Sequence, residues 1–304
     1  MILTLSHTTT SEINKALVQV RKEGGVVTLG RVMTLVIDAT GADAEQAIAT
    51  ANVASREHPC RIIVMSPQQD SSEHCLDAEI RVGGDAGASE VVLLRPSGEQ
   101  VNHGDTLVTP LLLPDAPIVT WWPANVPENA SGSGLGQMAA RRITDTKGDD
   151  HPEAVLLRLA ELYRPGDTDL AWTRLTRWRA LLAAALEQVQ DPQVTRARIY
   201  GDTGSPSILL LGAWLQHALG CEVEATYDDS ARGLQHVVLD TPSGSIGISR
   251  PDGHNATITQ PNQPAHVIAL AASNLDDCLA EELRRLDDDP VYGEVLQAFA
   301  RSHS

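Results

Sequence analysis

The chain has 304 residues, enough for one large or two ordinary domains, and 42% of them are apolar, enough for a real core. Forty acids against 23 bases give a formal net charge of −17, which disfavours nucleic acid and anionic membrane surfaces as partners. Only 3% of the residues are aromatic, so the core has to be built mostly from Leu, Val, Ile and Ala.

Thr8–Ser11 caps a first helix with Ile13, Leu17 and Val20 as its apolar stripe, and Gly24-Gly25 ends it. Residues 31–37 read as a buried strand, 43–57 as an alanine-rich helix stopped by Pro59, and 61–65 as a second strand. Together they form a βαβ unit with a parallel pair. Two more strands are expected at 77–82 and 89–94, with Gly83-Gly84 turning a hairpin between them. Residues 98–113 hold one more element of unassigned type. Residues 118–122 form a strand, 131–136 a mobile glycine loop, and 144–150 a polar run. A helix over 153–162 ends at Tyr163-Arg-Pro-Gly166, which marks the domain boundary.

The stretch 166–186 opens with Asp167, Thr168 and Asp169, which suit a helix start. Ala171, Leu175, Trp178, Leu182 and Leu186 then follow at steps of four, three, four and four, one face of a helix. Arg174, Arg177 and Arg179 lie between them, with no acid from Leu170 to Leu186. Next come a strand at 194–200, a tight loop at 201–206 and an apolar helix at 207–219. Short strands follow at 221–227, 236–239, 245–249, 256–259 and 266–270, with Pro242-Ser-Gly244 as a hairpin turn. Two helices close the chain: one capped by Ser273 with stripe Leu275, Leu279, Leu283 and Leu286, the other from Pro290 to about Ala300. The expected class is α/β with two α/β-type domains, 1–163 and 164–304. The first has the βαβ unit in a mixed sheet. The second has a mixed or mostly antiparallel sheet flanked by helices.

Cys60, Cys75, Cys221 and Cys278 form no C-x-x-C pair, which argues against a zinc site or a disulfide framework and for reduced thiols in the cytoplasm. No leader pattern opens the chain, and no apolar run nears the roughly 20 residues a bilayer helix needs. The residues 55–61 crowd Arg56, Glu57, His58, Cys60 and Arg61 into one turn. Local pairing and helix capping explain most of it, leaving Arg56 and Arg61 as binding or interface candidates. Gly201, Thr203, Gly204 and Ser205 lie between a strand and a helix, where backbone N–H groups could hold an anion such as a sugar phosphate. No histidine spacing suggests a metal, and no nucleophile–base set, carboxylate pair or cofactor fingerprint appears. The expectation is a binding protein that carries no cofactor.

The blocks at 8–25, 30–37, 54–64, 80–95, 110–123 and 165–186 resemble the actinobacterial OpcA family, the glucose-6-phosphate dehydrogenase assembly proteins. The resemblance implies a non-enzymatic partner that promotes assembly or activity of glucose-6-phosphate dehydrogenase. It brings no catalytic residues. Protein interfaces concentrate Trp and Arg. Trp172, Arg174, Arg177, Trp178 and Arg179 are therefore expected to form or support the docking surface, with Trp121 and Trp122. The alternative is a sugar-phosphate-binding sensor or enzyme that uses the Gly201–Ser205 loop.

Overall fold

The computed structural model describes residues 1–23, 30–68, 74–82 and 90–303. In chain order the first elements are β1 (Ile2–Leu5), α1 (Thr10–Glu23), β2 (Met33–Asp38), α2 (Gly41–Ala54), β3 (Cys60–Met65), β4 (Leu76–Arg81), β5 (Glu90–Pro96), α3 (Gly104–Val108), β6 (Ile118–Trp122), α4 (Gly134–Met138) and β7 (Arg141–Thr144). Then follow α5 (Pro152–Leu162), β8 (Asp167–Asp169), α6 (Leu170–Thr173), α7 (Thr176–Leu186), β9 (Arg196–Gly201), α8 (Pro206–Leu219) and β10 (Glu222–Tyr227). The last are β11 (Leu234–Thr241), β12 (Gly244–Ser249), β13 (Asn255–Thr259), β14 (His266–Ala269), α9 (Leu275–Arg284) and α10 (Pro290–Ser302). The protein is α/β with two mixed sheets flanked by helices. The expected stop at Gly24-Gly25 and hairpin at Gly83-Gly84 fall outside the described residues.

The chain divides into two compact units. One comprises Met1–Asp145, Arg164–Thr168 and Leu275–Asp288, the other Thr146–Tyr163, Asp169–Asn274 and Asp289–Ser304. The chain does pass between units at 163/164, yet each unit also takes segments from the far side of that point.

The first unit is built on eight strands in the order β1-β4-β5-β3-β2-β6-β7-β8. The pairs β2–β3, β3–β5, β2–β6 and β6–β7 are parallel, and β4 runs antiparallel to β5. β2, β3 and β5 are buried along almost their whole length, with apolar runs at 35–37, 62–65 and 91–94, the usual pattern of central parallel strands covered on both faces. Ile13, Leu17 and Val20 of α1 are buried, as their spacing requires. β7 was not legible as a strand: Arg141 and Arg142 look polar but are buried. Arg141 meets Glu282 and donates to the Asp287 carbonyl at 2.7 Å, which ties α9 to this sheet. Arg142 meets Asp167 and the Ala139 and Pro165 carbonyls. Gly166 sits at φ +92°, where a Cβ would come within 2.5 Å of the Ala140 carbonyl oxygen.

The stretch 131–136 is not a free loop. Asn129 and Ser133 accept hydrogen bonds from the N–H groups of Gly132 and Gly136 (2.8 and 3.0 Å) and so open the short helix α4. The glycine pattern reflects close packing here, since a Cβ on Gly136 would lie 1.8 Å from the Ala130 oxygen.

The second unit holds six strands in the order β10-β9-β11-β12-β13-β14. Only β9–β10 is parallel among these pairs. One face packs its Ala197, Ile199, Val237, Leu239, Ile246, Ile248, Ala256 and Ile258 into a core shared with α5, α7, α8 and α10. The stretch 166–186, expected as one helix, is a short strand followed by two helices. The stripe survives the break: Ala171, Leu175, Trp178 and Leu182 are all buried. A chain turn at Arg174–Leu175 keeps these side chains pointing the same way, so periodicity alone does not reveal it.

Candidate functional site

The Trp–Arg stretch is assembled from a buried carboxylate outward. Asp169 is fully buried and caps α6 by accepting the Ala171 N–H at 2.8 Å. It also accepts from the N–H and hydroxyl of Thr146, at 3.1 and 3.0 Å. This anchors the start of α6 and directs the Trp172 indole inward. The Trp172 N–H donates to the Asp289 carboxylate at 2.8 Å, and its ring sits beside Tyr292. Arg179 lies over the same ring, 3.6 Å from its centroid. Arg250 approaches the Trp178 ring at 5.1 Å and donates to the carbonyls of Leu270 and Leu234. Burial pulls the Arg250 guanidinium below its ordinary value.

Trp172 and Trp178 are therefore core, and they support the surface above them without forming it. Arg177 is exposed, and Arg174 and Arg179 are partly exposed. In the first unit, Trp121 and Trp122 are buried as well, and Arg56 is exposed. Arg61 is 4% exposed. It pairs with the buried Glu90 at 2.9 Å and donates to the Leu111 carbonyl, so it serves the interior. Arg31 reaches the same carboxylate at 3.1 Å.

In the second unit, Thr203, Gly204 and Ser205 line a cavity of about 500 Å³. Gly201 does not; a Cβ there would strike the Gly233 oxygen at 2.6 Å, so it is a packing glycine. The facing wall comes from the start of α5 and carries Asp150, His151 and Glu153, with Leu157, Leu209 and Tyr227 filling out an apolar floor. Among the described residues the lining has no Arg or Lys to neutralise a phosphate, and its carboxylates oppose one. Cys60, Cys221 and Cys278 are buried and in no disulfide, and Cys75 is partly exposed, 3.2 Å from the Ser97 hydroxyl. Among the described residues no His/Cys/Asp/Glu group could hold a metal, and no helix is long and apolar enough to cross a membrane.

The first sheet has a point where strand order reverses. β2 continues through α2 to β3 on one side, while β6 lies on its other side. There the Trp122 indole N–H reaches across from the end of β6 to the Asp38 carboxylate at the end of β2, 3.2 Å away. Burial pushes Asp38 above its ordinary value, and the indole bond offsets part of that rise. Sequence reading missed this pair, because Asp38 and Trp122 are 84 positions apart.

Two family models match the chain. One, described as a glucose-6-phosphate dehydrogenase subunit N-terminal domain, covers residues 51–161. The other, described as the C-terminal domain of the same subunit, covers residues 165–296. A putative OxPP cycle protein OpcA from Synechococcus elongatus is 27% identical over 262 residues, 76% of this chain and 58% of that protein. One from Synechocystis is 29% identical over 161 residues, 49% of this chain and 33% of that protein. The chain thus spans between a third and three fifths of the length of these curated relatives. Among solved structures, the 3-ketoreductase KijD10 from Actinomadura kijaniata with NADP matches at TM-score 0.51 and 10% identity, covering 88% of this chain and 95% of that one. That likeness concerns fold alone.

A doubly wound sheet of this kind offers a dinucleotide its strand-order reversal, where a glycine-rich turn and a helix start receive the pyrophosphate. The residues here do not fit one. The turn Asp38-Ala-Thr-Gly-Ala-Asp43 has a single glycine, and carboxylates stand at both ends. The Trp122–Asp38 bridge spans the strand ends beneath it.

Proposed function

We propose that this chain, which belongs to the OpcA glucose-6-phosphate dehydrogenase subunit family, acts without turnover of its own. In this reading it binds glucose-6-phosphate dehydrogenase and promotes its oligomerisation or activity in the oxidative pentose phosphate pathway. The carrying observation is that the two subunit models together match residues from both structural units. The curated relatives named as OxPP cycle proteins support the same pathway. The poor fit of the strand-order reversal to a dinucleotide supports a binding role over hydride chemistry. The partner's contact residues are Arg174, Arg177 and Arg179, held in place by Trp172 and Trp178 beneath, with Arg56 as a further contact on the first unit.

The test is to mix the purified protein with the dehydrogenase of the same cell. The expected result is co-elution on size exclusion and a change in dehydrogenase rate or quaternary state, with no turnover by this protein alone. Failure of both co-elution and rate change overturns the reading. The sugar-phosphate alternative rests on the 201–205 loop, and the acidic wall facing that loop weighs against it. A thermal shift with millimolar glucose 6-phosphate would revive it.

A further inference from the structure

The six-stranded sheet covers only one of its faces. The pairing register places Thr226, Tyr200, His236, Ser249, Thr257 and Val267 in one row across the other face. A second row runs Glu224, Arg198, Val238, Gly247 and Thr259, and a third Glu222, Arg196, Asp240 and Ser245. All of these are exposed or half-buried. We propose that this open face is where a second copy of the chain packs, sheet against sheet, to form a homodimer.

Charge is the first argument. Of the residues in these rows, five are charged, and they pair among themselves. Arg196 lies 3.6 and 3.5 Å from Glu222 and Glu224, and Arg198 lies 2.8 Å from Asp240. The face therefore carries two cations and three anions, a net of −1, on a chain whose total is −17. Two copies of so acidic a chain repel over most of their surfaces and approach at least cost where local charge is near zero. On β12, β13 and β14 the face has no ionised side chain, only Ser, Gly, Thr and Val. A sheet face kept for water ordinarily spreads charged and polar residues along every strand.

Area is the second. Six strands at about 4.8 Å and five residues at about 3.4 Å each give roughly 29 by 17 Å, or about 500 Å² of plane per copy. Two facing copies then bury about 1,000 Å² before side-chain relief is counted, the level a specific interface has to clear. The small side chains at 245, 247, 249 and 257 keep the plane flat enough for such an approach. The face also runs to an edge strand that lacks the usual charge guard: Val267 of β14 is 68% exposed. A face-to-face contact of one patch with itself is isologous and closes at two copies.

Sedimentation velocity from 1 to 100 µM tests this on the whole chain. The expected result is a species of twice the 32.6 kDa monomer. Val238→Arg places a cation in the middle of the face, and Thr257→Arg places one on its uncharged part. They should raise the dimer dissociation constant more than about 100-fold while far-UV circular dichroism stays unchanged, because like charges then meet across the symmetry axis. Val53→Arg, at an exposed position on α2, should leave the dimer intact. A wild type that stays monomeric to 100 µM overturns the proposal. So does a dimer that survives both face variants, or one that Val53→Arg also dissociates. A monomeric wild type whose face variants lose the dehydrogenase would assign the face to that partner instead, which also overturns it.

Discussion

Replacing Asp289 with alanine should destabilise the second unit by about 2–4 kcal/mol. The carboxylate has two tasks in the structure. One oxygen caps α10 by accepting the Tyr292 N–H at 3.1 Å, and the other accepts the Trp172 indole N–H at 2.8 Å. Loss of an Asp cap costs about 1 kcal/mol. Trp172 is 1% exposed, so its N–H is left without water, a penalty of about 1–3 kcal/mol. Asp289→Asn keeps a cap oxygen but presents an amide to the indole, so it should recover only the cap share, about 1 kcal/mol. Trp172→Phe removes the orphaned donor, and the double variant Asp289→Ala, Trp172→Phe should lose less than the two single changes summed. Urea unfolding followed by tryptophan fluorescence supplies the free energies for this double-mutant cycle. An alanine cost below about 1 kcal/mol, or strict additivity in the cycle, would refute the reasoning.

Three further outcomes follow from the same contacts. Changing Arg174 and Arg177 together to Glu should abolish co-elution with the dehydrogenase and leave far-UV circular dichroism intact; activation that survives makes the stretch scaffold alone. Asp38→Asn should stabilise the first unit at pH 7 and do little at pH 3. Burial raises the folded-state pKa of Asp38, so its stabilising neutral form is present below the unfolded carboxylate value and is lost as pH rises through the folded one. Urea midpoints of both proteins against pH read this out, and equal midpoints at pH 7 would contradict it. Asp228 and Asp252 behave in the opposite sense. The first accepts from Tyr200 and Ser230, the second from the N–H groups of Asn255 and His254, and each is held down at about 2. Their contribution is present above the unfolded value and lost as pH falls from about 4 towards 2, so the double Asn variant should show a shallower acid transition.

Elements whose instructions are local could be read from the sequence. β6 spans 118–122 as its apolar run indicates, and α8 and α10 start at prolines that suit a first helical turn. The antiparallel run β11 to β14 follows from short alternating strands with turn residues between them. What escaped depends on partners far along the chain. β1 is four residues of mostly exposed strand that pairs with β4, some 75 positions on, and nothing near Met1 announces that pairing. β7 is hidden by two arginines whose acids stand 141 and 25 positions away. α9 belongs to the first unit, where it packs against α2 and its Glu282 meets Arg141, and no linker composition between 270 and 290 reveals the return.

The tryptophan and arginine stretch shows why residue type alone leaves a site ambiguous. Trp with Arg is the composition of an interface hot spot, and equally of a core edge where a cation covers an aromatic face. Here Arg179 covers Trp172 and Arg250 covers Trp178, so the chain supplies cations to its own rings. Both rings are also buried, at 1% and 2% exposure, so neither offers a face to a partner. The consequence for function is a narrower one than the composition suggests. Deleting either indole would weaken partner binding only through loss of the fold, whereas reversing Arg177, exposed and backed by the buried Trp178, changes what a partner meets while leaving the core as it stands.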